Sequence, residues 1–258
     1  MTTTVYQNNQ NYIDFILHLA DTNLILAQRL CEWCGHGPIL EQDIAMSNMA
    51  LDLLGQTSNY YDYAAEMIGN GATEDTLAML REEREYKNLL LVEQPNGHFG
   101  DTVARQFFYD SYHVLLLEQL ATIKDLKLQS IVEKSLKEVK YHLKWSSEWM
   151  IRLGDGTQES HDKIQKSVDD ILPYVKEAFD NAPYQQALIE AELIPNAQDF
   201  KTKWLANVND ILTEATIVAD VEGAFVQKGG KVGVHTEYLG YILTELQYMQ
   251  RTYPNSKW

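Results

Sequence analysis

The stretch from Arg105 to Trp149 constrains this chain more than any other. Apolar residues recur there every three or four positions, which the helical period requires of a buried helix face. Val103, Phe107, Leu117 and Leu120 share one stripe, and Ile131, Val139, Trp149 and Leu153 share a second. The pattern predicts two long helices joined by a short turn near Lys124–Lys127. The first carries Asp110 and His113, three apart, and the second carries Glu138 and His142, four apart. Those spacings put each pair on one helix face. A carboxylate and an imidazole in an apolar stripe are costly unless paired, hydrogen-bonded or bound to metal.

The rest of the chain is helical in pattern as well. A first helix is expected from about Tyr12 to Cys34, with Ile13, Leu17, Leu24 and Cys31 on its buried stripe and Asp21 among them. Gly35-His-Gly-Pro38 should stop it, because Gly suits the C-cap and Pro cannot continue a helix. A second helix, about Glu41 to Ile68, ends at Gly69-Asn-Gly71, and a shorter charged one is expected over Thr73–Tyr86. Asn88 to Gly100 reads as a loop with an apolar start, Leu89-Leu-Leu-Val92, and a Pro95-Asn-Gly97 turn. After the central hairpin, Gly154-Asp-Gly156 precedes helices over about Glu159–Asp180 (kinked at Pro173), Pro183–Leu193 and Ala197–Ala215. A Gly229–Gly233 loop then leads to a last helix over about Thr236–Thr252.

Four helices longer than about 20 residues, paired by short turns, are the pattern of an antiparallel bundle. The expected fold is all-α, a ferritin-like antiparallel four-helix bundle with additional C-terminal helices. It is read as a single domain, with the core bundle over about 12–153 and the extra helices over about 159–252.

Residues equally far from a hairpin turn lie at one height, at about 1.5 Å per residue. On that count each long helix brings one carboxylate near mid-height: Asp21, Asp52, Asp110 and Glu138. Bundles with two irons usually use one Glu on each of two helices and Glu-x-x-His on each of the other two. Here Asp52 is followed three residues on by Gly55, and Glu138 by Tyr141. His113 and His142 sit at other registers, and three of the four acids are the shorter Asp. The layer reads as a metal site that has lost ligands. If it does hold metal, the ligands are Asp21, Asp52, Asp110, His113, Glu138 and His142. The plainer reading makes Asp110 and His113 a satisfied buried pair. Asn48, Gln56 and Asn59 suggest a solvated face around Asp52.

Charge excludes several other functions. The 37 acidic and 21 basic residues give a net charge of -16, which disfavours nucleic acid and anionic membrane as partners. No apolar run approaches the roughly 18 residues a membrane span needs, and the polar Met1–Asn11 stretch lacks the pattern of a signal peptide. With only two cysteines, no disulfide framework is expected, and the default compartment is the cytoplasm. Cys31-Glu-Trp-Cys34 has thioredoxin-type spacing, but it ends a helix without a βαβ context, so ordinary buried cysteines are expected. Lys228-Gly-Gly-Lys-Val-Gly233 lacks the ending of a P-loop and reads as a mobile or partner-contacting loop. Glu82-Glu-Arg-Glu85 reads as a solvated face.

Several stretches together resemble a known family. They include Gln28-Arg-Leu-Cys-Glu-Trp-Cys-Gly-His36, Leu51-Asp-Leu-Leu-Gly-Gln56 and Asn88-Leu-Leu-Leu-Val-Glu-Gln-Pro-Asn-Gly97. Lys140-Tyr-His-Leu143, Gly229-Gly-Lys231, His235-Thr-Glu237 and Gln247-Tyr-Met-Gln-Arg251 continue the match in order along nearly the whole chain. It resembles the C-type subunits of the bacterial ring-1,2-phenylacetyl-CoA epoxidase, a multicomponent monooxygenase of phenylacetate degradation. The resemblance implies a structural, ferritin-like subunit with no catalytic, cofactor or metal residues of its own. Its implied partner is the homologous A-type catalytic subunit, which holds two irons and the CoA thioester. Further subunits are implied, including a reductase that uses NADPH, FAD and a 2Fe-2S cluster.

Overall fold

The computed structural model describes residues 6, 9–254 and 256; of the polar stretch before Tyr12, residues 1–5 and 7–8 lie outside the described residues. All regular elements among the described residues are helices. They pack as two units, one drawn from Met1–Glu93, Ala182–Glu190 and Lys228–Trp258, the other from Gln94–Asn181 and Ala191–Gln227.

The first unit is built on the hairpin of α1 (Gln10–Cys31) and α2 (Leu40–Ile68). Asn9 caps α1 by accepting the Tyr12 N–H at 3.3 Å, and α1 is then buried on nearly every side from Tyr12 to Leu30. α2 buries one stripe, with Met46, Met49, Leu53, Tyr60 and Ala64 at helical spacing, and keeps its opposite face wet. Gly69 at φ 66° ends it, as the Gly-Asn-Gly stretch predicts. The charged helix expected over Thr73–Tyr86 is shorter: α3 covers Glu74–Met79, and a single 3₁₀ turn follows at Glu83–Glu85. Reciprocal hydrogen bonds between Thr73 and Thr76 start α3, and the Arg81 side chain turns back onto the Leu77 carbonyl to stop it. The apolar run expected to open a loop forms one buried helical turn, α4 (Leu90–Glu93).

In the second unit, α5 (Phe99–Leu120) and α6 (Leu126–Gly154) form the expected hairpin, and Asp125 caps α6 through the N–H groups of Lys127 and Leu128. α7 (Gln158–Val175) contains Pro173 near its end and gives way to a 3₁₀ turn at Lys176–Phe179, so the helix expected to run kinked to Asp180 stops soon after the proline. Two further helices are α8 (Pro183–Glu190), which packs on α1 in the first unit, and α9 (Gln198–Glu214) in the second. Trp204 of α9 is buried, donates its indole N–H to the Ser111 hydroxyl at 2.9 Å, and meets Phe179 at 4.8 Å between ring centroids. The last helix, α10 (Glu237–Thr252), lies on α3 in the first unit.

The glycine-rich stretch before α10, expected as a mobile or partner-contacting loop, is packed down in part. Gly230 and Lys231 are buried. A Cβ on Gly230 would stand 2.2 Å from the Asn88 carbonyl oxygen, so only glycine permits that approach. Val232 and Val234 face outward.

Candidate functional site

Polar side chains at helical spacing line one face of α1: His18, Asp21, Thr22 and Arg29. All four are buried, and the segment Arg81–Glu93 lies across them. The Asp21 carboxylate receives four donors. Tyr61 of α2 gives its hydroxyl at 2.6 Å, and the Lys87 backbone N–H reaches the other oxygen at 2.8 Å. Both terminal nitrogens of Arg81 complete the set, one of them at 3.1 Å. The guanidinium also donates to the Leu77 and Glu85 carbonyls, and it stacks on Tyr86 at 4.3 Å. Burial, with the Asp21 charge beside it, drives the Tyr61 hydroxyl well above its usual pKa, so it stays a donor.

The other bonds along this face are of the same kind. His18 donates from Nδ1 to the Lys87 carbonyl at 2.7 Å. Burial, and next the Lys231 charge, lowers its pKa to about 3, so the ring is neutral. Thr22 accepts the Leu89 N–H at 3.4 Å, and Arg29 donates to the Glu93 carbonyl at 2.6 and 3.1 Å.

A second buried carboxylate, Glu93, is bonded just as fully. His235 Nδ1 and the Asn88 amide reach one oxygen at 2.7 and 2.8 Å. The backbone N–H and hydroxyl of Thr236 reach the other at 2.8 and 2.5 Å. His235 Nε2 faces the Tyr86 carbonyl at 3.0 Å. Both ring nitrogens thus meet acceptors, and only the imidazolium can donate to both. Burial opposes that charge, but Glu93 and the Tyr86 carbonyl outweigh it and raise the His235 pKa.

In the second unit Asp110 is buried and held by the Gln106 amide at 2.7 Å and the Ser146 hydroxyl at 2.9 Å. His113, expected as its partner, takes no part: its ring lies 4.9 Å from Tyr109, and its Nδ1 has no hydrogen-bond partner among the described residues. Burial pushes the Asp110 pKa up to about 7, against a pull from His142 and the two hydrogen bonds. It lowers His113 to about 3, with His142 adding to the effect. His142 is buried on α6, whereas Glu138 is only half-buried, because the stripe runs Leu128, Val132, Ser135, Val139, His142, Ser146 and so passes Glu138 by.

The residues expected at one level therefore meet different fates. Asp52 is half-buried on α2, and Asp21 bonds across the hairpin to Tyr61, further along that helix. Asn23 likewise donates to Gln56 at 3.1 Å, so the hairpin pairs α1 with residues of α2 several positions further along than the count from the turn implies. A carboxylate has about four lone-pair sites, and those of Asp21 are met by Tyr61, Arg81 and Lys87, with a cation where a metal would have to sit. The donor set does not fit a two-iron centre. Among the described residues no group of three or more His, Cys, Asp or Glu side chains is arranged to hold a metal ion.

Sequence reasoning missed Arg81, His18, Glu93 and His235. The polar residues at positions 18, 21, 22 and 29 of an otherwise apolar helix were the available signal. Cys31 and Cys34 are exposed rather than buried, since α1 stops at Cys31 and the turn carries both thiols to the surface.

These features define a class: an all-helical protein whose helices bury hydrogen-bonded carboxylates. Within the described residues no helix is long and apolar enough to cross a membrane. The model of one family, phenylacetic acid catabolic protein, matches residues 1–258, and the chain belongs to that family. It is similar to the C subunit of the 1,2-phenylacetyl-CoA epoxidase of Escherichia coli (strain K12), with 46% identity over 244 residues, covering 95% of this chain and 98% of the relative.

Proposed function

We propose that this chain is a non-catalytic, structural subunit of a ring-1,2-phenylacetyl-CoA epoxidase in aerobic phenylacetate catabolism. In that role it pairs with the homologous di-iron, A-type catalytic subunit, supports its fold and orders its substrate channel. The observation that carries the reading is the state of Asp21, whose carboxylate is used up by Arg81, Tyr61 and the Lys87 N–H. The iron belongs to the catalytic partner, and FAD, 2Fe-2S and NADPH to the reductase of the complex. The finer fold is part of the same proposal: a single ferritin-like domain, for which the hairpins α1–α2 and α5–α6 supply the four long helices such a bundle needs. Exposed Tyr241, Tyr248 and Met249 on α10 suit a docking face, since aromatic residues and Met are enriched at interfaces. The assembly works in the cytoplasm.

The test is the iron content of the purified chain, alone and after co-expression with the catalytic homologue. The proposal expects iron only in the partner, and co-purification of the two chains. About two irons in this chain alone, with a ferric–oxo absorption lost on Asp110→Ala, would make it an oxygenase in its own right. Glu138→Gln should leave epoxidation by the complex intact; lost turnover in a complex of unchanged stability would count against a structural role.

A further inference from the structure

The turn that leaves α1 carries two cysteines that the proposed function does not use. Cys31 is the last residue of the helix, and the Cys34 N–H donates to its carbonyl at 3.0 Å. A four-residue turn of this kind holds its first and fourth Cα atoms within about 7 Å, and disulfides join Cα atoms about 4.4–6.8 Å apart. Both residues are exposed. Partial burial, then the neighbouring Cys34 and Glu32, push the Cys31 thiol up.

The setting differs from that of a thioredoxin-type pair. There the helix N-terminus stabilises a thiolate and with it the reduced form. Here the pair lies at a helix C-terminus, where the dipole is of the opposite sign. Arg29, one turn back, is already engaged by Glu32 at 2.9 Å and by the Glu93 carbonyl. His36 is turned to the Cys34 carbonyl, 3.1 Å from its Nδ1. With Arg29 and His36 both turned to other partners, neither stabilises a thiolate, and closing the pair removes the anion altogether. A dithiol whose reduced form is not stabilised holds its disulfide more firmly.

We propose that Cys31 and Cys34 are a reversible modification site, a dithiol that closes to an intramolecular disulfide by exchange with a small disulfide of the glutathione class. One cysteine thiolate attacks the small disulfide, forms a mixed disulfide and releases one small thiolate. The second cysteine thiolate then attacks the protein sulfur of that bond, forms the Cys31–Cys34 bond and releases the second small thiolate. The two protons from the protein thiols end on the two released thiols. The protein loses two electrons, and the small disulfide gains them. The closed form ties the last turn of α1 to the corner that leads into α2, beside the exposed Ile39, Leu40 and Ile44.

The test treats the full chain with excess oxidised glutathione and reads intact mass and free thiol. The wild-type chain should lose two hydrogens, keep no adduct and show no free thiol. Cys31→Ser and Cys34→Ser should each retain one glutathione, with roughly tenfold more adduct than wild type because nothing can resolve it. A persistent adduct on wild type, a surviving dithiol, or cross-linking to a second copy would each overturn the proposal.

Discussion

The sharpest test of the buried networks is Arg81→Met. The substitution keeps the apolar stem of the side chain and removes the guanidinium. Asp21 is then left with the Tyr61 hydroxyl and the Lys87 N–H, and the Leu77 and Glu85 carbonyls lose their donor. Breaking a buried ion pair by deleting one partner costs about 3–5 kcal/mol. Total stabilities are about 5–15 kcal/mol, so the variant should be visibly marginal in urea titrations followed by far-ultraviolet circular dichroism. Asp21→Asn placed in the same chain should return much of the loss, because the stranded charge is gone. The double-mutant cycle should show a coupling of about 1–3 kcal/mol or more. A loss below about 1 kcal/mol for Arg81→Met, or strict additivity in the cycle, would refute the claim that Arg81 neutralises Asp21. Iron uptake by Arg81→Met, with no uptake by wild type, would show in addition that the guanidinium excludes a metal.

Further outcomes follow from the other clusters. His235→Gln should lower the melting temperature most at low pH. The folded-state pKa of His235 is raised, so its contribution is complete below the ordinary His value of about 6.5 and fades as pH rises through the folded value; a gap that widens with pH would contradict the imidazolium assignment. Asp110→Asn should be more stable than wild type above pH about 7, with the difference shrinking as pH falls toward about 4, because burial raises the Asp110 pKa to about 7 and the folded state takes up the proton first. Melts at matched pH values check the sign. Gly154→Ala should cost about 1–3 kcal/mol in urea unfolding, because its Cβ would stand 2.0 Å from the Ala215 carbonyl oxygen; an unchanged midpoint would mean that the chain there yields easily.

The long helices are legible because their apolar residues keep the helical period, and their ends because Gly69 and Asp125 act locally. The breaks are less visible. Arg81 interrupts the predicted Thr73–Tyr86 helix because its side chain turns inward to Asp21, a contact sixty residues away in sequence that no local pattern encodes. Leu89–Val92 reads as a loop because four residues are too few to show a period. Asp21 and Asp110 are legible as buried acids, but their donors are not. Tyr61, Ser146 and the Lys87 N–H come from other elements, and counting from the turn sets Asp21 level with Asp52 although its partner on that helix is Tyr61, nine residues on. Spacing to His142 sets Glu138 on the buried face, whereas the stripe through Val139 and His142 leaves it at the edge.

The bonds along α1 explain why a helix so thoroughly buried still carries charge. His18, Asp21, Thr22 and Arg29 reach the backbone at Lys87, Leu89 and Glu93, so the irregular segment Arg81–Glu93 finds on α1 the partners it lacks in itself. That segment in turn presents the Glu93 carboxylate to His235 and Thr236, and the carbonyls of Met79, Leu80 and Arg81 meet Arg251 of α10 beside it. The order of attachment is therefore α1, the Arg81–Glu93 segment, then the C-terminal helix, and each step depends on an acid already saturated with donors. A metal at Asp21 would need the oxygens that hold the first of these steps. The Arg81 guanidinium thus makes a fastener of an acid that could otherwise have been a ligand.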